Sequence, residues 1–174
     1  PALPFVPALA AATEPMGQFD LREHERQHEV LVYDSGVLAK PLTILGEAEA
    51  ELFVAVDAPD ADLVLRLAEH RADGASVRLA GGQLRLRYRE GYDAERLLTP
   101  NEPVKVRIPL TYVAHCVPAG SRLRLLVSGS NFPLADPNPH TGEPVASAVA
   151  MCSALQTVFH DAARPSKLVL PVLP

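Results

Sequence analysis

The chain has 174 residues, 48% hydrophobic and 21% charged, with 16 Lys+Arg against 21 Asp+Glu for a net charge of −5. That is enough chain for one domain with its own core. The acidic balance excludes nucleic acid and an anionic membrane surface as partners, because no basic field exists to displace counterions from phosphates or headgroups.

In chain order, Pro1–Gly17 reads as a linker or arm rich in Pro and Ala, and residues 18–174 read as the domain. The arm has no basic n-region, so it makes a poor signal peptide. The location is left open with the cytoplasm slightly favoured, and the cysteines leave the redox compartment undecided. The chain does not begin with Met and reads as a piece of something longer. Val30-Leu31-Val32-Tyr33 is a short apolar run closed by the turn signal Asp34-Ser35-Gly36. Ala48, Ala50, Leu52, Val54 and Val56 then alternate with Glu47, Glu49 and Glu51. A helix would scatter those glutamates, whereas a strand lines them up on its solvent face.

Asp57-Ala58-Pro59-Asp60 turns the chain. Leu63, Leu65 and Leu67 follow at strand spacing, although propensity alone leans to helix. Beyond Ala72-Asp73-Gly74, Leu84, Leu86 and Tyr88 alternate with Gln83, Arg85, Arg87 and Arg89. Val104, Val106 and Ile108, then Leu123, Leu125 and Val127, repeat the pattern. The arginine rows Gln83–Arg89 and Arg122–Arg124 read as solvated outer faces of sheets. Ser128–Pro144 is a long loop with four prolines, of a length usually reserved for function or packing. Ser147–Phe159 is expected to be extended despite its alanines, and Lys167–Val172 closes the chain as a strand with Pro171 at an edge. Cys116 and Cys152 read as small buried hydrophobes. Period-two runs separated by turn clusters predict an all-β jelly-roll β-sandwich, galactose-binding-domain-like.

His24-Glu25-Arg26-Gln27-His28 spells H-E-x-x-H, the spacing that puts two imidazoles one helical turn apart around zinc. Here the flanks are polar, a strand begins at Val30, and no third ligand stands at a sensible spacing. The expectation is a solvated segment, with no metal and no cofactor. Nucleophilic catalysis needs a presented Ser with a base and an orienter. No G-x-S-x-G elbow occurs. The residual option is a cryptic esterase built from Ser128 or Ser130 with His140 or His160. A free-standing module for carbohydrate or peptide is the other alternative, but it would have to work without Trp and with only 4 Tyr and 5 Phe.

Three stretches carry a resemblance. One is Asp60-Ala61-Asp62-Leu63, Ala72-Asp73-Gly74 and Gly82-Gln83-Leu84-Arg85-Leu86-Arg87-Tyr88-Arg89. The next is Gly120–Leu125 with Ser130-Asn131-Phe132-Pro133 and Asn138-Pro139-His140-Thr141-Gly142. The last is Gln156–Asp161, Pro165-Ser166 and Leu168–Val172. Their order and spacing resemble the C-terminal domain of X-Pro dipeptidyl-peptidases, cocaine-esterase-type hydrolases and α-amino-acid ester hydrolases, from about Gly17 to Pro174. The resemblance implies a jelly-roll domain packed on an α/β-hydrolase domain whose Ser, Asp and His triad lies upstream, so no catalytic residue is carried over. Its implied partners are that hydrolase domain and further subunits of a homo-oligomer. Its implied role is to brace the hydrolase domain and help wall the substrate pocket. Asn131, Phe132, Pro133, Asp136, Asn138 and Thr141 of the long loop are the expected interface residues. The chain departs from the family at Leu134, Ala135 and Pro137, where the loop usually carries basic residues.

Overall fold

A computed structural model describes residues 19–174; the arm lies outside the described residues. Among the described residues eight strands form: β1 (Leu31–Asp34), β2 (Leu42–Val56), β3 (Asp62–His70), β4 (Ser76–Arg85), β5 (Val104–Val117), β6 (Arg122–Ser128), β7 (Gln156–Phe159) and β8 (Lys167–Val169). They pair antiparallel in two sheets, ordered β1-β6-β3-β4 and β5-β2-β7, with β8 also on β2. The fold is the expected all-β sandwich.

β2 places Ala48, Ala50, Leu52, Val54 and Val56 in the core, against Leu63, Leu65 and Leu67 of β3 and Val106 and Ile108 of β5. Its glutamates face out, and Glu49 and Glu51 meet cations across the ladder. Glu49 Oε1 takes Arg107 Nη2 at 2.8 Å, and Glu51 Oε2 takes Lys105 Nζ at 2.8 Å and Lys167 Nζ at 3.3 Å. The β2–β5 register shifts between Glu47 and Glu49, beside Gly46 at φ 133°.

β3 is a strand over Asp62–His70, as its spacing predicts, and the source of its helical leaning is visible. Both faces are covered. Leu63, Leu65 and Leu67 face the sandwich, while Ala68 on the outer face joins Leu126 and Leu21 in a second small cluster closed by Phe19 and Val30. A strand buried on both sides reads as a continuous apolar run, and its ladder neighbours β4 and β6 decide its form.

The margins of the sandwich differ. At β4 and β5 the sheets touch: a Cβ at Gly82 would lie 2.3 Å from the carbonyl oxygen of Pro109, and Gly81 N donates to Thr111 Oγ1 at 3.3 Å. At the opposite margin, β1 stands across from β7 and β8 with an open slot between them.

Four expectations need correction. The strand through Gln83–Arg89 stops at Arg85, and Leu86–Tyr88 is a 3-10 turn. This turn swings Arg87 inward, so the arginine row is not a solvated face. Arg124 is also engaged, with Asp34 and Glu25 each at 2.7 Å. Ser147–Phe159 is a strand only over Gln156–Phe159, where β2 offers a ladder at Phe53–Val56. Val145–Ser147 is a 3-10 turn and residues 148–155 have no regular structure. Cys116 and Cys152 are exposed. Val113, His115 and Val117 take the inward positions of β5, which turns Cys116 outward, and Cys152 sits in the loop against Pro139.

At the far end of β3, Glu69 is 1% exposed and accepts from His115 Nε2 at 2.8 Å, Ser121 Oγ at 3.0 Å and Arg71 Nε at 3.1 Å. Burial alone pushes the Glu69 carboxyl up, but His115, Arg71 and Ser121 outweigh it and hold the group below the ordinary carboxylate range. Arg124 likewise holds Asp34 down. A carboxylate lowered by folding adds stability that is complete above its unfolded value, about 4.3 for Glu, and is lost as pH falls through the folded value. The urea midpoint is therefore expected to fall steadily between about pH 5 and about pH 3. Glu69→Gln should flatten that profile, and an unchanged slope would contradict the assignment.

Candidate functional site

The long loop is ordered by a buried ionic network. Asp60, fully buried in the turn after β2, accepts Arg87 N at 2.9 Å on Oδ1 and Arg87 Nε at 2.8 Å on Oδ2. Asn138 Nδ2 donates to the same Asp60 Oδ2 and to Asp62 Oδ1, both at 2.8 Å, while Asn138 Oδ1 accepts His140 N at 2.9 Å. Arg85 grips Asp62 with two bonds of 2.8 Å and donates to the Asp136 carbonyl at 3.1 Å. Arg87 continues to the Glu143 carbonyl at 3.0 Å and Glu95 at 3.1 Å. Burial disfavours the charge on Arg87, but Asp60 outweighs it and raises its pKa; Asp62 does the same for Arg85. Two arginines and two aspartates thus fasten both halves of the loop through its carbonyls and one amide. Charges this deep persist only when fully paired.

The expected loop residues divide by role. Asn138 is buried inside the network. Asp136 joins it only through its carbonyl, and Thr141 Oγ1 closes the loop locally on Glu143 at 3.3 Å. Asn131 bridges to the first sheet, donating to Gln83 Oε1 at 2.7 Å and accepting Arg66 Nη2 at 3.0 Å. The Phe132–Pro133 bond is cis, and Phe132 projects outward, 69% exposed. Leu134 is also exposed, as are Val149, Met151 and Leu155 further along and Tyr92 alongside. A cleft of about 460 Å³ brings Tyr88 and Tyr92 next to Asn131, Asp136 and Ala146. Sequence reasoning missed Asp60, Asp62, Arg85 and Arg87 as site residues. They are distant in sequence, and no spacing rule pairs a turn aspartate with a strand-end arginine.

A groove of about 660 Å³ on the neighbouring margin collects His24, His28, Arg66, Ser128, Ser130 and His140, so of the cryptic-esterase option Ser128, Ser130 and His140 share a space. Their bonding does not make a catalytic set. His140 Nδ1 meets the Cys152 carbonyl at 2.7 Å, and its Nε2 is buried without a hydrogen-bond partner, so neither serine hydroxyl reaches it. Ser130 Oγ accepts Phe132 N at 3.2 Å, and Ser128 Oγ lies 3.5 Å from Arg66 Nη1. His160 lies elsewhere, its ring 6.0 Å from that of Tyr33. The H-E-x-x-H string forms one 3-10 turn, His24–Arg26, and Gln27 is extended at ψ 136°, so the two imidazoles do not stack on a helix. Its Glu25 instead holds Arg124.

Residues 7–169 match the model of the X-Pro dipeptidyl-peptidase C-terminal non-catalytic domain. The chain belongs to that family. It is 33% identical over 159 residues to the cocaine esterase of Rhodococcus sp. (strain MB1 Bresler), covering 90% of this chain and 28% of the esterase. Among solved structures, it superposes on an aminopeptidase from a marine sediment Thaumarchaeota archaeon with a TM-score of 0.86 at 30% identity, covering 89% of this chain and 27% of the aminopeptidase. An α-amino acid ester hydrolase gives a TM-score of 0.85 at 29% identity, over 88% of this chain and 27% of the hydrolase. This non-catalytic domain therefore spans little more than a quarter of the length of these relatives. The Asp60–Arg87–Asn138 network draws on the stretches that made the resemblance legible.

Proposed function

We propose that this domain is the accessory part of a larger serine hydrolase of the dipeptidyl-peptidase or acyl-esterase type, bracing its α/β-hydrolase domain and helping to wall its substrate pocket. The observation that carries the reading is a loop locked from beneath by buried ion pairs while holding Phe132, Leu134, Val149 and Met151 in solvent. Ordering a long loop costs backbone entropy, and exposing large apolar side chains from it gains nothing in isolation. A second surface that covers them would give the arrangement its use, and relatives more than three times as long as this chain have the further chain to form one. Asn131, Phe132, Pro133, Asp136, Asn138 and Thr141 then act together, with Asn138 and Asn131 fixing the loop and Phe132 and Pro133 touching the hydrolase domain.

A carbohydrate-binding reading has one observation in its favour, the tilted Tyr88–Tyr92 pair at 5.5 Å with Tyr92 83% exposed. The polar groups beside it are committed, however: Asp62 to Arg85 and Asn138, and Asn131 to Gln83 and Arg66.

The direct test is hydrolysis by the chain alone. Losing the nucleophile and base of a serine hydrolase costs on the order of 10⁶ in rate. An activated ester and an X-Pro amide are both expected to turn over at background. Saturable turnover abolished by Ser128→Ala or Ser130→Ala would overturn the accessory reading.

A further inference from the structure

The two sheets are of unequal width. The first has four strands across; the second has β5, β2 and a third position shared by β7 and β8. Both run antiparallel to β2, β7 against Phe53–Val56 and β8 against Glu49–Glu51, so they form one strand interrupted by the excursion His160–Ser166. Jelly rolls stack eight strands in two sheets. Here the second sheet ends one strand short, on the side where the sandwich is open.

Burial shows the same shortfall. Leu52 of β2 and Leu63, Leu65 and Leu67 of β3, on the central strands, are at most 3% exposed. Val158, Leu168 and Leu170 face the same core from the β7–β8 margin yet are only partly buried, as is Tyr33 on β1 across from them. Between these margins lies the slot, about 350 Å³, with Leu52 and Leu125 at its base. Each margin is a strand edge paired on one side only among the described residues. Unpaired edges above a reachable apolar core are the features that strand addition uses.

We propose that this slot takes an extended apolar segment of the parent hydrolase, lying outside the 174 residues, which adds to the β7–β8 margin as the fourth strand of the second sheet. The inference rests on the reading of the chain as one domain of a larger hydrolase. Relatives of which this stretch is 27–28% have ample further chain to supply the segment. The arm Pro1–Gly17 is a poor candidate, because Pro1, Pro4, Pro7 and Pro15 cannot donate to a ladder. A small apolar molecule would fill the volume but leave the edge amides and carbonyls unpaired. A second copy would present the same margins, with no free strand to insert.

The test places photoreactive p-benzoylphenylalanine at Leu168 in the full-length parent, maps the cross-linked peptide, and follows amide exchange in the unsubstituted protein. The expected cross-link joins Leu168 to a peptide outside the 174 residues, and amides of β7 and β8 should exchange at least about tenfold more slowly in the parent than in this chain alone. A cross-link to Pro1–Gly17 or to a second copy, or unchanged exchange, would overturn the strand proposal. The same probe at Phe132 separates the two readings. A Phe132 cross-link to the hydrolase domain with none from Leu168 refutes the added strand alone, whereas failure at both positions refutes the accessory role as well.

Discussion

Arg87→Met is expected to destabilise the chain by about 3–5 kcal/mol, because it strands the Asp60 carboxylate in a site with no solvent access. In a chain of this size that corresponds to a fall in Tm of roughly 6–20 °C. Asp60 would keep Asn138 as a donor but lose Arg87 Nε, while the carbonyl of Glu143 loses its partner. The loss should be sharply non-additive. Adding Asp60→Leu removes the orphaned charge, and replacing both members of a buried pair by apolar groups costs far less than breaking it. Urea denaturation of the single and double variants is the measurement. A loss under about 1 kcal/mol for Arg87→Met would mean that the buried pair is not what holds the loop.

Gly82→Ala is expected to cost about 3 kcal/mol or more, at the upper end of overpacking effects. The added Cβ would lie 2.3 Å from the Pro109 carbonyl oxygen and 3.2 Å from its carbon. Both are backbone atoms of β5, so no side chain can rotate out of the way and the sheets must separate at their closed margin. Gly36→Ala is the matched control: a Cβ there meets nothing within 4 Å, and the change should stay within about 0.5 kcal/mol. Equal effects at the two glycines would contradict the close approach of β4 and β5.

Much of this fold was legible because period-two patterning survives wherever one face of a strand meets water. Glu47, Glu49 and Glu51 mark the outer face of β2, and the side chains between them form the core. The pattern misled where a strand ended within its own alternation. Leu86 and Arg87 continue the apolar–polar rhythm of β4 although the backbone has already turned, so a buried arginine looks like a solvated one. The loop residues were legible through resemblance and loop length. What the sequence could not show was which of them face inward. Asn138 and Phe132 sit six positions apart in the same loop, one buried under the network and the other in solvent. That difference is set by Asp60 and Asp62, far away in sequence, and only the folded chain brings them together.

The measurement that bears most directly on the accessory role is the activity of the separately prepared hydrolase part of the parent protein, titrated with this chain. Binding through the Phe132 loop predicts a saturable rise in hydrolysis rate or thermal midpoint, weakened when the added chain carries Phe132→Asp. If neither quantity changes at any concentration of the folded chain, the domain does not brace the hydrolase, and the exposed loop serves some other surface.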